Sequence, residues 1–231
     1  MYKTLDFVRK GKNKIVYRAK EPKILTDKLI AEVKWPSKLQ TLEIIFDKDV
    51  RDIHEILQKN ISCKYIVRLV YSVAKGKLIL PQLGPINRGV LLKPVVNSRD
   101  LKSLFIKTQT MFFIAPWAEY LDHQYFSDTA NFIRDDLQLS KSVCFIKNTK
   151  HIGLLNILPL DGKTDLVAWV WIDKELPLKD REIVHYKLVE WLQRSQAENI
   201  IGVVHSFNIR SNWFFRKIGF VPTCIQITRN F

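Results

Sequence analysis

The chain has 231 residues, 47% of them hydrophobic and 11% aromatic, and its 37 Lys/Arg against 23 Asp/Glu give a formal net charge of +14. This apolar content excludes a mostly disordered protein, and the length suffices for one large core or two small ones. No uncharged apolar run approaches the roughly 20 residues that span a bilayer, because the longest, residues 152–160, is interrupted by Gly153, Asn156 and Pro159.

The first twenty residues carry Lys3, Arg9, Lys10, Lys12, Lys14, Arg18 and Lys20 but no apolar h-region, which argues against a secretory signal. Ile15-Val16-Tyr17 is strand-like rather than part of an amphipathic presequence helix, so a cytoplasmic location is expected. In a strand over 12–20, Lys12, Lys14, Arg18 and Lys20 share one face with Val16, while Ile15, Tyr17 and Ala19 take the other. A basic face suits a polyanion such as nucleic acid, and Tyr2, Phe7 and Tyr17 could stack on unpaired bases. Strands are expected over 14–19, 29–35 and 41–46, then a helix over 49–58. A hairpin over 65–73 and 77–83, a strand over 89–96 and a linking helix over 97–106, capped by Asn97 or Ser98, complete this half.

Charge divides the chain. Residues 1–104 hold 22 Lys/Arg and 10 Asp/Glu, whereas residues 105–231 hold 15 and 13. The basic character thus belongs to the first part, which points to two regions, 1–104 and 105–231, with different tasks. Cys63, Cys144 and Cys224 are odd in number and far apart, so neither a disulfide framework nor a zinc site is expected.

The second region opens with an expected strand over 110–115 and a helix over 118–137. A hairpin over 142–146 and 152–158 follows, joined by Lys147-Asn148-Thr149-Lys150. Residues 166–172, LVAWVWI, form a continuous apolar strand fit for a sheet centre, with Trp169 and Trp171 on one face and Val170 on the other. Such a pair suits the core, or the wall of an apolar binding site lined further by Phe112, Phe113, Trp117, Tyr120, Tyr125 and Phe126. Residues 180–197 are an amphipathic helix with Asp180 placed to cap it, 200–205 a strand and 223–228 a last strand.

Between the last two strands lies the most informative block: Asn208, Ser211, Phe214-Phe215, Lys217 and Gly219-Phe220. It reads as a polar strand exit, a short helix and a glycine suited to a left-handed C-terminal cap. This block resembles the last conserved block of the GNAT superfamily of N-acetyltransferases, and the strand and helix order over about 125 residues is similar to that fold. The resemblance implies an α/β (α+β) fold with a mixed central sheet and flanking helices over 105–231. The basic, strand-rich region before it is either a degenerate second copy of that fold or an unrelated module.

The resemblance further implies transfer of an acyl group from acyl-CoA, or from an acyl-carrier protein docking through acidic surface, to an amine. Trp171 and Ile172, on a strand splayed from its neighbour near His205, would offer backbone groups to the pantetheine arm, and Asn208 and Ser211 would hold it. His205, Asp173 and Glu175 are the candidate bases, with His185 as a further histidine near neutral pKa. Two departures stand out. The family's pyrophosphate loop, Gln/Arg-x-x-Gly-x-Gly/Ala, is replaced by Glu175-Leu176-Pro177-Leu178-Lys179-Asp180-Arg181-Glu182, without glycine, so that Lys179 and Arg181 would have to receive phosphate. The tyrosine that protonates the leaving thiolate is replaced by Phe215. These losses support an alternative reading: a catalytically degenerate protein that keeps the fold and binds nucleic acid or another acidic partner through its basic half.

Overall fold

The apolar segments of the second half become strands close to where their composition places them. The computed structural model describes residues 5–10, 14–19, 25–33, 41–46, 57, 60–61, 65–82, 89–95, 103–104, 106–108 and 141–229. The strands expected over 110–115 and the helix over 118–137 lie outside these residues, as does nearly all of the helix over 49–58. Ten strands form one sheet: β1 (Leu5–Lys10), β2 (Lys14–Ala19), β3 (Thr41–Phe46), β4 (Tyr65–Ala74), β5 (Leu91–Pro94), β6 (Val143–Lys147), β7 (Lys150–Pro159), β8 (Thr164–Ile172), β9 (Asn199–His205) and β10 (Val221–Arg229). Their spatial order is β1-β2-β3-β10-β4-β9-β8-β7-β6-β5. The pairs β2–β3 and β8–β9 are parallel and the others antiparallel. Helices α1 (Asp27–Glu32), α2 (Leu178–Gln193) and α3 (Ile209–Lys217) are found among the described residues.

Strands from both sides of residue 104 alternate in this sheet. β10 lies between β3 and β4, and β4 lies between β10 and β9. No edge of the sheet coincides with residue 104. A main core joins Leu42 and Ile44, Leu69 and Tyr71, Ile225 and Ile227 to Val184 and Leu188 of α2 and Phe214 and Phe215 of α3. On the opposite face a smaller core of Val95, Leu104, Cys144 and Leu154 receives Trp169 and Trp171, while Val170 and Ile172 pack on the main one. The alternation expected of this strand therefore holds, and Trp169 Nε1 also donates to Thr108 Oγ1 at 3.0 Å.

Two N-terminal elements differ from expectation. The described part of the strand expected over 29–35, residues 29–33, is not a strand: Thr26 caps helix α1, its Oγ1 accepting from Leu29 N–H at 3.3 Å. Residues 78–82 follow a short 3-10 turn at Lys75–Lys77 and make no strand either. Ile79 N–H instead bonds the Ile218 carbonyl at 2.9 Å, which lays this segment against the end of α3. The basic face expected of β2 is also narrower. Its Val16 is completely buried, and Lys14 pairs with Glu43 at 3.0 Å, because β2 lies inside the sheet between β1 and β3.

Candidate active site at the divergence of two parallel strands

β8 and β9 pair in parallel from Thr164↔Asn199 to Val167↔Gly202 and no further, although β8 continues to Ile172 and β9 to His205. A change of register lies at the point of separation. Asn156 faces Trp169 while Ile157 faces Val167, so Ala168 is an additional residue, a bulge that bends β8 and increases its twist. The outer edges stay paired, Val170–Ile172 with β7 and Val203–His205 with β4. The inner edges therefore turn backbone N–H and C=O groups toward a gap in which neither strand supplies a partner. Trp171, Ile172 and His205 lie on the stretches of β8 and β9 beyond the last paired residues.

α3 starts at the mouth of this gap. Asn208 is its N-cap, with Oδ1 accepting from Ser211 N–H at 3.2 Å. That contact uses the carboxamide oxygen and leaves the Nδ2 group as the part able to donate to a ligand. The turn itself is held by Asn212, a residue the sequence reading did not single out. Its buried Nδ2 contacts the carbonyls of His205 and Asn208 at 2.9 Å and that of Ser206 at 3.2 Å, and its Oδ1 accepts from Tyr71 OH at 2.9 Å. Only the fold brings Tyr71, from β4, to this turn. Phe215 is buried against Tyr71 and Phe220, with ring centroids 5.6 and 4.7 Å apart, and beneath Gly202. A Cβ at Gly202 would collide with Phe215 Cε1. Gly219 adopts φ 99°, and its N–H reaches Arg216 O while Phe220 N–H reaches Phe215 O, the pair of bonds that closes a glycine-terminated helix.

The segment replacing the pyrophosphate loop is closed by its own contacts. Asp180 is not the helix cap; Pro177 holds that position without a side-chain bond, and Asp180 lies buried in the first turn. Its Oδ2 pairs with Lys147 Nζ at 2.6 Å, joining α2 to β6. Arg181 Nη2 donates to the carbonyls of Lys174 and Leu176 at 3.0 and 3.1 Å, which fixes the loop. Lys179 is exposed.

The proposed bases stand at the same edge. Burial raises the pKa of Asp173, but Lys150 at 2.8 Å and the Glu175 N–H at 3.0 Å outweigh it and hold the carboxyl below its ordinary value. Glu175 is exposed, with Lys174 at 3.9 Å. Burial and the neighbouring Arg68 push His205 down to about 3, so the ring is neutral and weakly basic. His205 also stacks on Phe207, 4.9 Å between centroids. His185 lies elsewhere, on α2 against Phe214, where burial, Lys217 and Arg181 lower it to about 4.

Register adds a feature with no local signal in sequence. Glu43, Gln226, Arg68 and His205 are direct neighbours across β3, β10, β4 and β9, so four polar side chains form one row that ends at the gap. Their proximity depends wholly on β10 and β4 lying side by side.

No family model matches the chain, and no curated protein matches it. Among solved structures, a conserved protein of unknown function from Staphylococcus epidermidis aligns with a TM-score of 0.55 at 12% identity, over 100% of this chain and 96% of that one. A GCN5-related N-acetyltransferase from Sphaerobacter thermophilus aligns with a TM-score of 0.50 at 11% identity, over 97% of this chain and 76% of that one. At these identities the likeness is one of fold. The chain folds as a mixed α/β sheet similar to that of GCN5-related N-acetyltransferases.

Proposed function

We propose that the chain transfers an acyl group from a pantetheine thioester, carried by acyl-CoA or an acyl-carrier protein, to an amine in the gap between β8 and β9. The observation that carries this reading is the early end of the β8–β9 pairing beside the Ala168 bulge. A pantetheine arm contains two amides and can pair with a strand edge facing this gap as a short strand would. Asp173 N–H bonds the Ile152 carbonyl of β7, so in this antiparallel ladder Trp171 turns its backbone to β7 and Ile172 turns its own to the gap. The Ile172 N–H polarises the thioester carbonyl, and Asn208 Nδ2 with the Ser211 hydroxyl holds the arm. The amine nitrogen bonds to the carbonyl carbon, the C–S bond breaks, and the amine's proton passes through water to the departing sulfur. The low basicity of His205 favours this water route over direct transfer to the ring. Glu175, exposed at the rim, is the carboxylate best placed to relay through water, since Asp173 is held by Lys150.

Calorimetric titration with acetyl-CoA and a long-chain acyl-CoA tests the reading. Saturable binding that is lost in Asn208→Asp, which keeps an acceptor for the helix cap but removes the donor, supports it. Absence of binding to either thioester overturns it for CoA donors, and the same titration with an acylated carrier protein then decides the remainder.

A second reading is favoured by the loop and by Phe215: with Arg181 bonded to loop carbonyls and Asp180 placed in the first turn, the fold serves as a binding scaffold without turnover. The basic residues of 1–104 then hold nucleic acid or another acidic partner. Salt-sensitive binding of a polynucleotide, lost on replacing Lys10, Lys12 and Lys14 with Glu and accompanied by no thioester affinity, is its signature.

A further inference from the structure

α3 presents an unusual outer face. Ile209 and Trp213, one turn apart, are 56% and 58% exposed, and Lys217 one turn further places its ammonium over the Trp213 ring at 4.8 Å. Exposed Arg210 lies on the same side of the helix. Lys217 also lines a cavity of ≈ 410 Å³ together with Glu182 and His185 of α2 and the segment 79–82. On that segment Ile79 is 56% exposed, and one helical turn before Glu182 stands Leu178, 68% exposed beside exposed Lys179. Ile79, Glu182 and Lys217 line one cavity, so the outer face of α3 and the first turns of α2 border it with exposed large apolar side chains and with Lys179, Arg210 and Lys217.

We propose that this surface docks on an anionic phospholipid membrane, with Leu178, Ile209 and Trp213 entering the headgroup–acyl boundary and the three cations meeting lipid phosphates. Aromatic and aliphatic side chains beside Lys and Arg match the two layers of a bilayer interface, an apolar depth below an anionic plane. Isolated exposed leucines are ordinary, whereas large apolar side chains exposed on several neighbouring turns, with cations beside them, point to an interaction surface. The side chains project from convex helix faces rather than lining a groove, and a lipid surface accepts protrusions without needing a matching shape. Charge favours this occupant over a second copy of the chain, since a two-fold contact on this face would bring Lys179, Arg210 and Lys217 of each copy against the same cations of the other. Because α2 and α3 both begin at the edge where β8 and β9 diverge, docking sets the gap beside the headgroups. The proposal stands independently of the thioester reading.

Flotation of the full-length protein with liposomes tests it. The expected result is recovery with phosphatidylcholine–phosphatidylglycerol vesicles, little with phosphatidylcholine alone, and an affinity at least about tenfold lower for the Ile209→Ser/Trp213→Ser double variant. Both positions are exposed, so the thermal midpoint of the variant should match the parent. Lys217→Glu should weaken recovery on the anionic vesicles as well. Failure to float with anionic vesicles overturns the proposal. Undiminished flotation of the double variant does so too, by assigning the binding to the basic N-terminal region. A double variant that unfolds is replaced by Leu178→Ser and Ile79→Ser, each expected to reduce recovery, and unchanged recovery in both again overturns the assignment.

Discussion

Gly202 and Phe215 show how one residue choice fixes another across the sheet. The ring of Phe215 fills the space a Cβ at position 202 would need, with Tyr71 stacked behind it. Gly202→Ala should therefore cost about 1–3 kcal/mol in urea denaturation, and adding Phe215→Leu should recover part of that loss. Additive losses in the double variant would show that the two do not share the space. Asn208 serves both a helix and, in our reading, a ligand, and two substitutions separate these roles. Asn208→Ala should lower stability by about 1 kcal/mol through the lost cap, whereas Asn208→Asp should keep stability and lose thioester binding. The histidines supply a pH signature. Both have folded pKa values below the unfolded value of 6.5, about 4 for His185 and about 3 for His205. Between pH 6.5 and 4 the unfolded chain binds protons that the folded chain refuses, so stability is complete above 6.5 and declines as pH falls. His185→Gln should flatten that decline in a series of denaturation curves at stepped pH; an unchanged slope would assign the loss to other groups.

At the scale of elements, the start of α2 is anchored by charge rather than by a cap. Lys147 reaches it from β6 and meets the buried Asp180 carboxylate. Lys147→Met strands that carboxylate and should destabilise the chain by about 1–3 kcal/mol, less than for a fully buried pair because Lys147 is itself partly solvated. A midpoint of denaturation equal to that of the parent would show that water replaces the lysine. The same stretch shows why some elements were legible in sequence and others not. The long apolar run of β8 and the amphipathic α2 carry enough residues to reveal their period. In α1, Leu29, Ala31 and Val33 alternate as a strand would, while Leu29, Ile30 and Val33 also fit a helix; the Thr26 cap decides between them. Residues 77–83 have a strand's composition, yet Ile79 N–H finds its acceptor at the end of α3 and no strand forms at 78–82. Asp180, a helix-start acid with the chemistry of a cap, is diverted to an ion pair by a lysine thirty-three positions earlier.

For the whole molecule, the decisive fact is the strand order. β4, contributed by the first half, bonds β9 on one side and β10 on the other. A fragment of residues 105–231 lacks this central strand and exposes two long edges, so it should show no cooperative thermal transition by circular dichroism. Adding residues 1–104 as a separate chain should restore one. A fragment that melts cooperatively alone would establish an independent second unit. The sequence by itself determined the strand–helix order of residues 142–228, the Gly219 stop after α3, and the alternation of Trp169 and Trp171. These depend on local periodicity, caps and a short motif, all encoded within one element or its neighbours. Only the tertiary structure decided that β10 enters between two N-terminal strands and that Tyr71 reaches Asn212. It also decided that Arg68 and Gln226 form a row with His205, and that Asp180 is engaged by Lys147. Pairing between distant strands depends on complementary faces across the whole sheet, and that information resides in no single stretch of the chain.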